Sequence, residues 1–365
     1  MTRFLPVCTA LCALLLTACG TPPLVTDTSD AIASLPDTVG AWQGEKPGID
    51  DAAALESYAA ERAALFAEGT ADAAPVEFVQ FDAEMMADVD LPGFSVDGDP
   101  SEASYGDLDS DLGPVALDLT LEKQADVRAI FGRDDRGIPE QAAPYSRIGR
   151  LITEGGTCTA ALVGPRHILT AAHCYGRKPD GSLTNAIFVP LYDRGETPLG
   201  TYATVTSTYA EAIPPRTANS EDFAVSILDQ PLGNQLGYFG LRSIQDEWMV
   251  PMAGRSAPEF AAVGYSGDWY DGERMGADWG TQFYGRMSGD RTVVAHDGDT
   301  TPGASGGPVL GYFPKAGWQI VGIIVAGPTE RFLPMDEILQ GRSANWLVDV
   351  DRFAGVIAEM RQRYP

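Results

Sequence analysis

Three residues of this chain stand in contexts suited to covalent chemistry. His173 ends the apolar run in Leu169-Thr170-Ala171-Ala172-His173-Cys174, Asp222 opens Asp222-Phe223-Ala224-Val225, and Ser305 sits in Gly303-Ala304-Ser305-Gly306-Gly307-Pro308. A serine hydroxyl is a poor nucleophile at neutral pH, so a neighbouring imidazole must take its proton and later return it to the leaving amine; His173 fits that role. The imidazole needs a buried acceptor that fixes its tautomer, and Asp222, beginning an apolar strand, can be buried and aimed. Gly303 permits a tight loop in which the N–H groups of Gly303 and Ser305 converge on a developing oxyanion. Asp193 and Asp229 compete as the acid, but Asp193 lies in a polar loop and Asp229 follows its strand. Each motif alone also has a structural reading, as a core histidine or a glycine-rich turn; their order and strand contexts together favour a catalytic triad. His167, in the turn Gly164-Pro165-Arg166-His167, reads as an exposed turn residue, and His296, nine residues before Ser305, as structural or pocket-lining.

The elements that must position these residues are short. Runs rich in β-formers and punctuated by Gly, Pro, Asn and Asp span 157–163, 167–171, 200–209, 223–228, 260–265, 308–313 and 318–326, a pattern that predicts an all-β barrel or sandwich. After Asp351, Phe353, Ala354, Val356, Ile357 and Met360 repeat with helical spacing and predict one C-terminal helix packed on the β domain. Cys158 and Cys174 bracket the hairpin expected at 158–171, so a disulfide would tie its ends and hold the His173 loop. The rival reading, both cysteines with His173 as a metal site, lacks further ligands, and no phosphate loop or dinucleotide fingerprint stands out. No metal or cofactor is expected.

The 365 residues carry 51 Asp plus Glu against 25 Lys plus Arg, a net charge of -26 that repels phosphate backbones and argues against nucleic-acid binding. The acidity is concentrated. Residues 20–125 hold a net of -20 and residues 126–365 a net of -7. The first segment is expected to be an acidic, partly disordered propeptide or linker, with one helix over 50–68. Residues 1–19 read as an export signal, with Arg3 and the apolar stretch Leu11–Leu16, and Leu16-Thr17-Ala18-Cys19-Gly20 resembles the lipobox of bacterial lipoproteins. That resemblance implies lipid on Cys19 and, since Gly20 follows it, an outer-membrane anchor. Ordinary signal cleavage nearby is the alternative.

The His, Asp and Ser motifs, in this order, resemble the chymotrypsin-fold serine peptidases. Phe131-Gly132-Arg133-Asp134-Asp135-Arg136, Pro144-Tyr145-Ser146-Arg147-Ile148-Gly149 and Asp299-Thr300-Thr301-Pro302-Gly303 resemble the bacterial glutamyl endopeptidase branch, over roughly 128–350. The resemblance implies two antiparallel six-stranded β-barrels with the triad between them, protein or peptide substrates, and removal of the acidic segment near 125–131. The lipid would then stay with the propeptide and the peptidase would be released. Ala304 replaces the Asp that trypsin-type enzymes place before the nucleophile, and Ile324 stands where glutamyl enzymes carry a substrate-binding His. Asp299 occupies the place of the acid that selects Arg or Lys in trypsins, while Thr300, Ile324, Val325, Ala326 and Gly327 imply a mostly apolar pocket. No preference for Glu is expected, with apolar or small residues ahead of Arg or Lys. A function of another class, a catalytically inactive lipoprotein that binds peptides or serves as an outer-membrane scaffold, stands as the alternative.

Overall fold

The computed structural model describes residues 76–79, 85–86, 89–95, 131–132, 134, 136–214, 218–250, 258–328, 335, 338 and 343–365. The export signal with Cys19, the helix expected over 50–68 and residues 125–130 lie outside the described residues. Those described form strands β1 (Glu77–Val79), β2 (Asp90–Leu91), β3 (Ile148–Thr153), β4 (Gly156–Gly164), β5 (His167–Thr170), β6 (Ala186–Pro190), β7 (Ala203–Ala210), β8 (Ala224–Leu228), β9 (Gly240–Arg242), β10 (Phe260–Gly264), β11 (Gly276–Trp279), β12 (Phe283–Met287), β13 (Asp290–His296), β14 (Pro308–Phe313), β15 (Gly317–Ala326) and β16 (Asn345–Asp349). The single turn α1 (Gly233–Leu236) and the C-terminal α2 (Ala354–Arg363) join them among the described residues.

The first sheet runs β1-β7-β6-β3-β4-β5-β8, and a further ladder between β7 and β8 closes β3 to β8 into a six-stranded barrel. The second half is a nine-stranded sheet along β11-β10-β14-β15-β16-β13-β12, with β9 on β15 and β2 on β9. Where a second six-stranded barrel was expected, no ladder joins β11 to β12 among the described residues. Leu151, Ile168 and Phe223 of the first half share one buried cluster with Val263, Leu310 and Ile323 of the second. This common core holds the two halves, and therefore the loops between them, in fixed register. The helix α2 buries Ala354, Val356, Ile357 and Met360, the stripe that the spacing predicts.

The seven expected strands are present within a few residues. Among those the periodicity misses, β3 and β16 bury polar side chains. In β3, Arg150 is buried because it pairs with Glu273 at 2.8 Å and lies over the Tyr192 ring. In β16, Asn345 and Asp349 are both buried, the latter against Arg286 at 2.9 Å. Such pairing makes burial of a polar group tolerable while erasing the alternation that betrays a strand. His167 is a correction: it is fully buried at the start of β5, with Nε2 3.1 Å from the Met360 carbonyl of α2. The tight turn pairs Gly164 with His167, so the ring falls on the face covered by α2 instead of at the tip. Burial and the nearby Arg361 push its pKa down to about 4.

Parts of the acidic segment are built into this body. Val76 and Val89 are buried in the main core, β1 pairs in parallel with β7, and β2 pairs antiparallel with β9.

Candidate functional site

His173 lies in a 3-10 turn over Ala172–Cys174, directly after β5. Asp222 precedes β8 and is fully buried, 0% exposed. Since β5 and β8 are paired neighbours, their ends bring the two side chains together. Asp222 Oδ1 accepts the His173 backbone N–H at 2.9 Å, and Oδ2 meets Nδ1 at 2.6 Å. With Nδ1 engaged, the free nitrogen of the ring is Nε2, buried and without a hydrogen-bond partner among the described residues. The competing acids are elsewhere: Asp193 binds Gln141, Arg194 and Arg274, and Asp229 accepts the Thr204 N–H at an exposed position.

The loop carrying Ser305 is gripped from both halves. Thr159 of β4 donates its N–H to the Ser305 carbonyl at 2.9 Å and its hydroxyl to the Gly303 carbonyl at 2.9 Å. The same hydroxyl oxygen accepts the Tyr265 N–H at 2.9 Å, beyond the end of β10. Gly306, with φ of +78°, is pressed against β5: a Cβ there would lie 2.2 Å from the Thr170 hydroxyl oxygen and 2.6 Å from the Ala171 nitrogen. The residue after Ser305 therefore abuts the segment two and three residues before His173, and only glycine fits.

Within this loop the N–H groups of Ala304, Gly306 and Gly307 are bonded to the carbonyls of Thr301, Ile324 and Ala304. Those of Gly303 and Ser305 have no acceptor among the described residues. Two backbone donors left open beside a serine can serve a developing oxyanion. Cys158 and Cys174 form a disulfide, as expected, and the Cys174 sulfur lies 3.9 Å from the Ser305 carbonyl oxygen. Both sulfurs are consumed in that bond, which removes the thiolate ligands that the rival metal reading of Cys158, Cys174 and His173 required.

The expected pocket residues follow the same loop and the end of β15. Thr300, Ile324 and Val325 are buried, Ala326 is half-buried and Gly327 exposed. Asp299 is buried too, its N–H donated to Asp278 Oδ2 at 2.7 Å and its Oδ1 accepting the Phe131 N–H at 3.2 Å. Burial, then the neighbouring Asp278, pushes its pKa up to about 8, so it is largely protonated at neutral pH. Sequence reasoning missed Asn345. Its Nδ2 donates to the Gly298 carbonyl at 2.6 Å, and a Cβ on Gly327 would lie 2.3 Å from its Oδ1, so it braces both expected pocket walls from β16. A single Asn inside an apolar run carries no signal of that kind. His296 is buried in β13 opposite Asn345, and burial pushes its pKa down to about 3, in keeping with a structural residue.

The family described as Trypsin matches residues 136–331. Glutamyl endopeptidase of Bacillus licheniformis is 28% identical over 189 residues, covering 50% of this chain and 55% of its own length, so the chain spans about half of that curated relative. A solved structure of Glu endopeptidase in complex with MPD superposes with a TM-score of 0.50 at 23% identity, covering 64% of this chain and 100% of that one. That likeness shows the fold, a chymotrypsin-like one. The matched segment runs from Arg136, in the opening stretch, beyond the Ser305 loop and β15 and covers more than half of the sequence; this protein belongs to the trypsin family of serine peptidases.

Proposed function

We propose that this chain is an exported serine endopeptidase, anchored through lipid on Cys19, that cleaves peptide bonds with Ser305 as nucleophile, His173 as general base and acid, and Asp222 as the group that orients the imidazole. The observation that carries the reading is the double contact of Asp222 with His173, which leaves Nε2 as the nitrogen free to take a proton. In the reaction, Nε2 removes the Ser305 hydroxyl proton as Oγ attacks the scissile carbonyl. The oxyanion is met by the N–H groups of Gly303 and Ser305. The imidazolium then protonates the leaving amine, an acyl-enzyme remains on Ser305, and water activated by the same imidazole releases the acid product.

The specificity we infer is for apolar or small side chains. Ile324 and Val325 offer no partner to a carboxylate, whose unpaired burial costs several kcal/mol. Asp299 is bound to the Phe131 N–H and protonated up to about 8, which weakens its attraction for Arg or Lys. Labelling by a fluorophosphonate probe, with Ser305→Ala as control, tests the catalytic reading: wild-type protein that stays unlabelled after any processing overturns it. Profiling with a peptide library tests the specificity. Dominant cutting after Glu contradicts it, and cutting after Arg that vanishes in Asp299→Ser replaces it with a trypsin-like pocket.

A further inference from the structure

The acidic segment before the peptidase region is built into the folded body at two places on opposite sheets. At the first, Val76 is fully buried and Phe78 pairs with Thr208 of β7, its ring beneath the Arg177 guanidinium at 4.6 Å. At the second, residues 89–95 run along β9. The Val89 N–H donates to the Ser243 hydroxyl at 2.6 Å, and the Ser243 N–H returns to the Val89 carbonyl at 3.1 Å. Phe94 and Tyr238 exchange both backbone hydrogen bonds, at 2.9 and 2.8 Å. Arg361 of α2 reaches the Pro92 carbonyl at 3.2 Å, and Arg147 the Ser95 hydroxyl at 2.9 Å.

Between these bonds the two backbones touch. A Cβ on Gly93 would lie 2.4 Å from the Gly240 nitrogen, and one on Gly240 would lie 2.5 Å from the Leu91 carbonyl oxygen. A glycine on each side of the contact makes a surface shaped for this one segment. Removing the segment would strip β9 of one of its two partner strands and open the sites of Val76 and Val89 in the core, costs that a bound peptide avoids.

We propose that residues 76–79 and 89–95 are docked parts of a strap integral to the peptidase body, so that a chain cut between Ser95 and Phe131 remains one particle and an N-terminal anchor keeps hold of the enzyme after the cut. The sequence leaves two fates open, a cleaved propeptide and a permanent linker; processing would then not release the peptidase. The proposal concerns assembly and holds whether or not Ser305 is catalytic.

The test uses the full chain carrying Ser305→Ala, a viral-protease recognition sequence inserted between Gly106 and Asp107, and an affinity tag in place of the export signal. After complete cutting on the affinity resin, the peptidase fragment is expected to stay bound in native buffer and to leave in denaturant. Size-exclusion chromatography of the eluted protein should show both fragments in one peak. The pair Val89→Asp and Gly93→Val, which spoils the second contact, should release at least ten times more peptidase fragment upon cutting than the parent does. Elution of the parent fragment in native buffer overturns the proposal. So does equal retention of the fragment in the paired variant, since the strap contact would then not be what holds the halves.

Discussion

Asp222 meets His173 at two atoms, accepting the backbone N–H at one carboxylate oxygen and facing Nδ1 with the other. One residue thus fixes both where the turn sits and which way the ring points. Asp222→Asn keeps an acceptor for one contact but presents an amide where the tautomer must be set. Its kcat/KM is expected to fall about 10⁴-fold, with little change in thermal unfolding. Asp222→Ala should lose comparable activity and also about 1–3 kcal/mol of stability, because a buried N–H loses its acceptor. Steady-state kinetics and thermal denaturation of both variants separate orientation from folding; equal activity in Asp222→Asn and wild type would remove Asp222 from the triad.

Gly306 gives a sharper test of how the Ser305 loop is held. A methyl group there would collide with the Thr170 hydroxyl and with the Thr159 carbonyl, 2.5 Å away, in a backbone conformation with positive φ. Gly306→Ala is expected to destabilise by about 1–3 kcal/mol, in the range of overpacked sites. Activity should fall more than stability, because the displaced loop carries both Ser305 and the open N–H groups. Pairing the change with Thr170→Ser, which keeps the hydroxyl, should restore nothing; pairing it with Thr170→Ala, which removes it, should recover part of the lost stability. The check is the melting temperature of the single and paired variants.

Much of the site was legible because its chemistry is concentrated in short contiguous motifs. The order of His173, Asp222 and Ser305 and the hairpin between Cys158 and Cys174 needed only local context. What was not legible depends on partners distant in sequence. Arg150 is compatible with a strand only because Glu273 waits 123 residues away, and His167 is buried only because α2 returns over the first barrel. The same holds for Asn345 between the pocket walls. The docking of parts of the acidic segment was not legible for a different reason: net charge reports the average of 106 residues, whereas that docking rests on a few, such as Val76, Val89 and Gly93, too sparse to form a periodic pattern.

Stability should be greatest at mildly acidic pH, between about 4 and about 6.5, where two opposing sets of buried groups offset one another. Asp299, held up to about 8 by burial and by Asp278, and Asp349, held up to about 7 by burial and by Asp351, keep protons when folded that they lose near 4 when unfolded. The folded chain therefore binds more protons over that window, and these groups make stability fall as pH rises from about 4 to about 8. His167 and His296 act in the opposite sense. Unfolded, they take up protons below about 6.5, but folded they resist until about 4 and about 3, so stability falls as pH drops through that range. Melting curves against pH, in the Ser305→Ala background, check both limbs. Asp299→Asn should flatten the fall above about pH 6.5, where only the two aspartates differ between folded and unfolded chain, and His296→Gln the fall below about pH 4, where only the histidines do; an unchanged slope in either variant refutes its assignment.

The Cys158–Cys174 disulfide closes a loop with a sequence separation of 16 and ends beside His173. A loop of that length constrains the unfolded chain by about 3 kcal/mol. For a folded body of this size each kcal/mol shifts the melting temperature by roughly 2–4 °C. Reduction, or the paired change Cys158→Ala and Cys174→Ala, should therefore lower it by roughly 6–12 °C. Activity should respond separately. The bond fastens the start of β4 to the turn that carries His173, and Thr159, one residue along, holds the Ser305 and Gly303 carbonyls. Loosening it at a temperature where the protein remains folded is expected to lower kcat, with KM changing less, because the loops of His173 and Ser305 lose a common support. Calorimetry and kinetics of reduced, alkylated protein give the comparison. An unchanged melting temperature would show that the strand ladders alone fix the hairpin, and an unchanged kcat that the grip of Thr159 on the Ser305 loop does not depend on the disulfide.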